Sequence, residues 1–87
     1  MFKVKVNNTS YSISFAYETR RHKRYTYCFV RNDNDVTDSW YDYSKCHEND
    51  HFVKSVGRKI AFTHAIETFN RDTRKAFWEA YLLKCHV

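Results

Sequence analysis

The sequence contains no proline and a single glycine, Gly57, among its 87 residues. The glycine-rich loops that cradle phosphates in many nucleotide-binding enzymes need several glycines, so this composition excludes most of them. Turns must instead be made by Asn, Asp, Ser and Thr, whose side chains hydrogen-bond to the nearby backbone. We therefore expect polar turns and no enzyme of the glycine-rich-loop type.

Long apolar runs are missing as well. No stretch reaches the roughly 18 apolar residues of a membrane-spanning helix, and residues 1–6 lack the apolar core of a secretion signal. Three cysteines do not make a disulfide-dense chain, which suits a reducing compartment. We expect one domain, a cytoplasmic location and no membrane partner.

Aromatic and basic residues, by contrast, are abundant. Seven Phe, seven Tyr and two Trp give this small chain large side chains with which to build a core. The formal net charge is +5, which permits a nucleic-acid or nucleotide partner without requiring one. Lysine and arginine also keep small domains soluble, so charge alone does not decide the class of partner.

The N-terminal half has the two-residue periodicity of β-strands. Apolar and polar residues alternate through residues 2–6 and again through residues 10–15, and Asn7-Asn8 between them predicts a hairpin turn. The other segments of this half are predicted to be a polar loop at 18–23, a third strand at 25–31, a turn at 32–35 and a fourth strand at 36–45.

The C-terminal half has helical periodicity. Asn49 or Asp50 is predicted to cap a first helix that ends near residue 68, and Asn70 is predicted to cap a second helix over residues 71–85. Four strands followed by two helices predict an α+β fold, in which a four-stranded antiparallel sheet carries both helices on one face.

The apolar residues of the helices do not all lie on one side. We expect Trp78 and Leu82 to form an exposed apolar patch and, together with Phe62, a subunit or partner interface, and therefore a homo-oligomer. The alternative is a thick core under long aromatic side chains.

Residues 47–51, His-Glu-Asn-Asp-His, match the zinc-protease pattern His-Glu-x-x-His. Asn49 and Asp50 favour the start of a helix over its interior, so the two imidazoles need not share one face. The pairs Cys46-His47 and Cys85-His86 suit zinc chemically, but their spacing matches no standard zinc finger. We predict no metal, no cofactor and no catalytic residue.

Two groups of basic residues are candidate binding sites. Cations interleaved with rings suit phosphates and stacked bases, and the first group, a basic loop, comprises Arg20, Arg21, Lys23, Arg24, Tyr25 and Tyr27. The second group lies on the predicted helices, suits a phosphorylated ligand, and comprises Arg58, Lys59, Arg71 and Arg74. Ordinary solvated surface charge is the alternative for both groups. Aspartates between residues 33 and 42 could neutralise part of the basic loop across the sheet.

A spaced set of residues marks the predicted first helix and the one after it. It reads Cys46-His47-x-x-Asp50-x-Phe52-x4-Gly57-Arg58-Lys59-x-Ala61-x3-Ala65, followed by Arg71, Arg74, Trp78 and Tyr81. This pattern resembles a segment of small accessory or early proteins encoded by tailed bacteriophages, and it covers roughly the C-terminal half of the chain. The resemblance implies a host-takeover or anti-defence protein that blocks a nuclease, inhibits an enzyme or sequesters an immune nucleotide signal.

Two functional hypotheses follow from the residues and the resemblance together. The first is a non-enzymatic, anti-CRISPR-like or other anti-defence inhibitor that binds a host protein or nucleoprotein complex stoichiometrically in the host cytoplasm. The second is a module that binds nucleic acid or a nucleotide. Affinity for nucleic acid should fall steeply with salt, which distinguishes the second hypothesis from the first.

Overall fold

The computed structural model describes residues 2–35, 37–46 and 52–85. The elements in chain order are β1 (Phe2–Val6), β2 (Thr9–Arg20), β3 (Lys23–Asn32), β4 (Ser39–Cys46), α1 (Lys54–Ile66) and α2 (Arg71–Cys85). The strands form one antiparallel sheet in the order β1-β2-β3-β4, with both helices packed against it. The predicted α+β fold is confirmed. Within the described ranges, neither helix has the length and apolarity needed to cross a membrane.

The core lies between the helices and one face of the sheet. Phe2 pairs with Ile13, and Ile13 pairs with Val30 on the other side, so three apolar side chains form a row across the strands. All three are buried, as are Phe62 and Phe77 from the helices. Side chains alternate between the two faces of a strand. On each strand, the residues next to these core positions therefore point away from the helices.

The second hairpin is longer than the sequence predicted. Residues 18–23 were expected to form a loop, but β2 continues to Arg20 and pairs there with Lys23 at the start of β3. Only Arg21 and His22 form the turn, and both have positive φ, 50° and 67°. Two-residue hairpin turns of this kind normally carry Asn or Gly, and neither is present here to signal the turn.

The two helix starts differ in how well the sequence predicted them. Asn70 does cap α2, because its Oδ1 accepts a hydrogen bond from the backbone N–H of Thr73 at 2.8 Å. Helix α1 begins at Lys54 with Val53 in the N-cap position, later than predicted. The predicted capping residues, Asn49 and Asp50, lie outside the described residues.

Helix α1 lies unusually close to the sheet around Gly57. The Ser44 hydroxyl donates a hydrogen bond to the Gly57 carbonyl at 2.9 Å, and the Trp40 indole N–H donates to the Ala65 carbonyl at 2.8 Å. Both donors lie on β4, so they fix the two ends of α1 over that strand. A Cβ atom at position 57 would lie 2.5 Å from Oγ1 of Thr26, so only glycine fits without displacement.

The exposed edge of β4 is partly occupied by side chains. The Tyr43 carbonyl accepts a hydrogen bond from Nδ1 of His64 at 2.9 Å, and the Tyr43 N–H donates to Oδ1 of Asp42 at 2.8 Å. These backbone groups are therefore not available to pair with a strand of another molecule.

The expected apolar patch on the helices is only partly present. Phe62 is fully buried, stacked on Tyr81 with ring centroids 4.8 Å apart, so its assignment to an exposed interface was wrong. Trp78 packs edge-on against Phe62 at 4.9 Å and is half-buried. Leu82 is exposed, as expected, and so is the neighbouring Leu83. The thick aromatic core that was the alternative accounts for Phe62.

Replacing Gly57 by alanine should lower the free energy of unfolding by about 1–3 kcal/mol, because the new Cβ overlaps the buried Thr26 hydroxyl. The helix preference of alanine opposes this loss by about 1 kcal/mol. Urea unfolding followed by circular dichroism measures the difference. The double variant Gly57→Ala/Thr26→Ala lacks the overlapping oxygen. Its stability should therefore be close to that of Thr26→Ala alone. If Gly57→Ala destabilises Thr26→Ala as much as it destabilises the wild type, this contact is contradicted.

Candidate functional site

The face of the sheet that points away from the helices carries a continuous group of aromatic rings. They alternate with residues that face the helices, and we call them the aromatic platform: Tyr25, Tyr27 and Phe29 on β3, and Tyr41 and Tyr43 on β4. The side chains of Tyr41, Tyr43 and Phe29 are 60%, 46% and 40% exposed. Exposed apolar area of this extent on a small domain indicates a binding surface.

Tyr27 lies at the centre of the platform and contacts the other four rings. Its ring centroid is 6.3 Å from that of Tyr25 and 6.2 Å from that of Phe29, with the planes inclined by 21° and 28°. Tyr41 and Tyr43 each lie 6.0 Å away on the neighbouring strand. Because each ring restricts its neighbours, the platform is organised before any ligand arrives.

A shallow groove runs beside the platform along β2. It has a volume of about 340 Å³ and lies between Ala16 and the rings of Tyr27, Phe29 and Tyr41. The groove exists because Ala16 is small and lies opposite Tyr27 in the β2–β3 register. A planar group can lie over Ala16 with one edge against these rings.

Cations outnumber anions on this open face. The alternation of the strands places six cationic side chains there, Lys3, Lys5, Arg20, Lys23, Arg31 and Lys45, against the two carboxylates of Glu18 and Asp33. Arg20 pairs with Glu18 at 2.7 Å, and its guanidinium carbon lies 6.0 Å from the centre of the Tyr25 ring. Lys23 and Lys45 form no ion pair with any described residue.

Glu18 also acts on the central ring of the platform. Burial among its neighbours, and then the nearby Glu18 carboxylate, raise the pKa of the Tyr27 phenol. A side-chain hydrogen bond to Glu18 contributes in the same direction, so Tyr27 keeps its proton and directs it towards that carboxylate.

Asp33 lies at the other end of the open face. Its carboxylate accepts hydrogen bonds from the Ser12 hydroxyl at 2.8 Å and from Nε of Arg31 at 3.2 Å, and Lys3 lies 3.7 Å away. The Ser12 hydrogen bond above all, with Arg31 and Lys3, holds the pKa of Asp33 below its usual value.

The expected neutralisation of the basic loop by aspartates does not occur. The turn that contains Asp33, Asp35 and Asp38 follows β3, whereas the basic hairpin precedes it. The ten residues of β3 separate the two ends by about 30 Å. Asp42 faces the helices beside Cys28, where it adds to the effect of burial and raises the pKa of that thiol to about 12. The hairpin end of the sheet therefore keeps its positive charge.

The predicted basic loop divides between the two faces of the sheet. Arg20, Lys23, Tyr25 and Tyr27 lie on the open face, Arg24 faces the helices, and Arg21 lies in the turn. Sequence reasoning missed three members of the platform and one adjoining cation, namely Phe29, Tyr41, Tyr43 and Lys45. The alternation of residues along β3 and β4 could have indicated them, because it places them on the other face of the sheet from Val30 and Trp40.

The predicted basic group on the helices is not one site. Arg58 lies in the second turn of α1, whereas Arg71 and Arg74 follow the other end of that helix. Arg74 is directed to the Glu67 carbonyl, 3.4 Å from its Nη1, and Lys59 is exposed. Arg71 and Arg74 are separated from Arg58 because the chain turns only after α1 has ended.

The cysteine and histidine residues bring no ligand set together in the described part of the chain. No group of three His, Cys, Asp or Glu side chains there is placed to hold a metal ion. His47, His51 and His86 lie outside the described residues, so the zinc alternatives that involve them stay untested.

Comparison with known protein families, with curated proteins and with solved structures found no match to this chain. The function must therefore be argued from the platform, the groove and the charges around them.

The Asp33 network predicts a pH dependence of stability. Because the folded pKa is lowered, Asp33 stabilises the fold above its unfolded pKa of about 3.9, and this contribution is lost as pH falls through the folded pKa. Asp33→Asn should therefore be less stable than the wild type at pH 7, and the difference should shrink below about pH 4. Urea unfolding at pH 7 and pH 3 tests this.

The control for that experiment is Asp38→Asn. Asp38 is an exposed carboxylate of the same turn, and its side chain accepts a hydrogen bond from Asn32 rather than from a cation. The control loses one charge without touching Ser12, Arg31 or Lys3. A stability difference for Asp33→Asn that stays constant between the two pH values would exclude the proposed network.

Proposed function

We propose that this protein is a non-enzymatic binding module whose aromatic platform binds single-stranded nucleic acid. The observation that carries the proposal is the platform itself: five contiguous rings on an open sheet face bordered by six cations and two carboxylates. Unpaired bases stack on aromatic side chains, and lysine and arginine beside them contact the phosphates.

The shape of the site supports a single strand over a duplex. The rings can be reached only by a base whose own face is exposed, and the bases of a duplex are stacked on one another. Both described helices lie on the other face of the sheet, so neither can enter a groove of duplex nucleic acid from the open face. A duplex would therefore meet the cations alone and bind more weakly.

We expect little sequence preference. Every base has a face that can stack, so a stacking platform tolerates many sequences. The groove beside Ala16 adds one place where a base edge can meet the Tyr27 hydroxyl, whose oxygen can accept a hydrogen bond. Any preference should therefore be modest and should depend on Tyr27.

The resemblance to phage proteins gives this activity a proposed setting. We propose that the protein acts stoichiometrically in the cytoplasm of a host cell, where it occupies the nucleic acid of a host nucleoprotein complex. An anti-defence role then follows from competition for that strand.

The second candidate function is direct inhibition of a host protein. It is favoured by the composition of the platform, since tyrosine is enriched in the energetically important parts of protein interfaces. Four of the five platform rings are tyrosines. Leu82 and Leu83 on α2 give a separate apolar surface through which the protein can form a homo-oligomer.

The first test of the platform is the binding of fluorescent oligonucleotides. Tyr41→Ala should weaken single-strand binding by about 5- to 150-fold, because one stacked base contributes about 1–3 kcal/mol. Tyr41→Phe keeps the ring and should bind much like the wild type. Fluorescence anisotropy with a single strand and a duplex of the same sequence measures both effects. No binding to the single strand at low salt, or equal binding by Tyr41→Ala, would refute the proposal.

The second test concerns charge. Lys23→Gln and Lys45→Gln should each reduce the slope of log affinity against log salt by roughly 0.7–1, because each removes about one phosphate contact. Lys75→Gln, on the exposed side of α2, is the matched control and should leave the slope unchanged. A partner protein captured from a lysate and lost with Tyr41→Ala, in a preparation that does not bind nucleic acid, would favour the second candidate.

A further inference from the structure

Three cationic side chains come together on the helix-facing side of the sheet at its hairpin end. Nη1 of Arg58 donates a hydrogen bond to the Tyr17 hydroxyl at 2.8 Å, and Nζ of Lys54 lies 4.9 Å from the centre of the Tyr17 ring. The Arg24 guanidinium carbon lies 5.1 Å from the centre of the Phe52 ring. Lys54 and Arg24 line a pocket of about 160 Å³ together with both rings.

The charge of this cluster has no counterion among the described residues. Arg24, Lys54 and Arg58 form no ion pair there. Glu18 also lines the pocket, but its carboxylate lies on the open face and pairs with Arg20 at 2.7 Å. Like charges held close together repel each other. An anion in the pocket attracts each of these cations and so offsets their mutual repulsion.

The neighbouring rings hold these cations in place before a ligand binds. Tyr17 and Tyr81 both hydrogen-bond to Arg58 and raise its pKa, and Phe52 and Tyr17 provide faces for the other two cations. Ordering long side chains in advance reduces the entropy lost when a ligand binds.

The hydrogen-bond donors of the cluster suit phosphate oxygens. The Tyr17 hydroxyl accepts the hydrogen bond from Arg58, so its own proton is available for donation to a ligand. Arg24 adds a planar fork of N–H groups and Lys54 adds an ammonium, and these are the groups that bind phosphate most often in proteins.

We propose that Tyr17, Arg24 and Lys54 form a phosphate-binding site, in which Arg58 holds the Tyr17 hydroxyl. The ligand is a phosphate group with freely accessible oxygens, and it has two possible sources. One is the end of a strand whose bases lie on the platform, which rests on the proposed function, and the other is a free nucleotide. A strand can reach the site around the free edge of β2, since the β1 pairing extends only to Ile13.

Calorimetric titration with inorganic phosphate and with adenosine 5′-monophosphate at low ionic strength tests the site directly. Both probes should bind saturably, and adenosine, which lacks the phosphate, should bind far more weakly. Lys54→Gln should weaken binding about tenfold or more, and Arg24→Gln/Lys54→Gln should abolish it. Lys59→Gln, an exposed cation on the same helix, should bind like the wild type. Because Lys54 is itself exposed, its variant keeps the fold.

Oligonucleotides with and without a 5′-phosphate separate the two sources. If the strand end is the ligand, the 5′-phosphate should raise affinity about tenfold in the wild type and not in Lys54→Gln. Equal affinities, with binding of the mononucleotide retained, would identify the free nucleotide as the ligand. If neither phosphate nor the mononucleotide binds, or if Lys59→Gln weakens binding as much as Lys54→Gln, the site is refuted. Tyr41→Ala separates the test of the platform from the test of the phosphate site, because this variant should lose oligonucleotide affinity and keep phosphate binding.

Discussion

The contact between Gly57 and Thr26 is the constraint on which the architecture of this protein depends. With no side chain on Gly57, α1 can lie directly over β3 and β4, where Ser44 and Trp40 hydrogen-bond to its carbonyls. Both helices then cover the same face of the sheet. None of the described elements covers the opposite face of the same two strands, so the rings that alternate with the core residues remain exposed there.

The order of the elements, the facing of the strands and the Asn70 cap could be predicted because each depends on local pattern. The hairpin at Arg21-His22 could not, since its conformation comes from the pairing of β2 with β3 and not from the turn residues themselves. The candidate site was half-predicted for a related reason. Residues 20–27 are close in sequence, but alternation sends Arg24 to one face and Tyr25 to the other, and rings such as Tyr41 look like core residues until the helices are placed.

The proposed functions of the two faces meet at the hairpin end of the sheet. The aspartates that could offset the positive charge lie about 30 Å away, beyond the other end of β3. Lys23 and Lys45 therefore lie on one face of the sheet, and Arg24 and Lys54 lie on the other. None of these four cations forms an ion pair with a described residue. The sheet thus carries the proposed stacking surface on one face and the proposed phosphate site on the other, and the free edge of β2 lies between them.

The turn at Arg21-His22 shows how this protein distributes its stability. Both residues occupy a left-handed conformation that costs on the order of 1 kcal/mol per residue relative to glycine. A glycine or an asparagine at either position would make the hairpin easier to form, yet it would remove the Arg21 or His22 side chain from the exposed turn at the basic end. The natural sequence is therefore not the most stable one for this backbone. Substitutions that stabilise this turn would raise the stability of the protein and remove positive charge from beside the proposed binding surfaces.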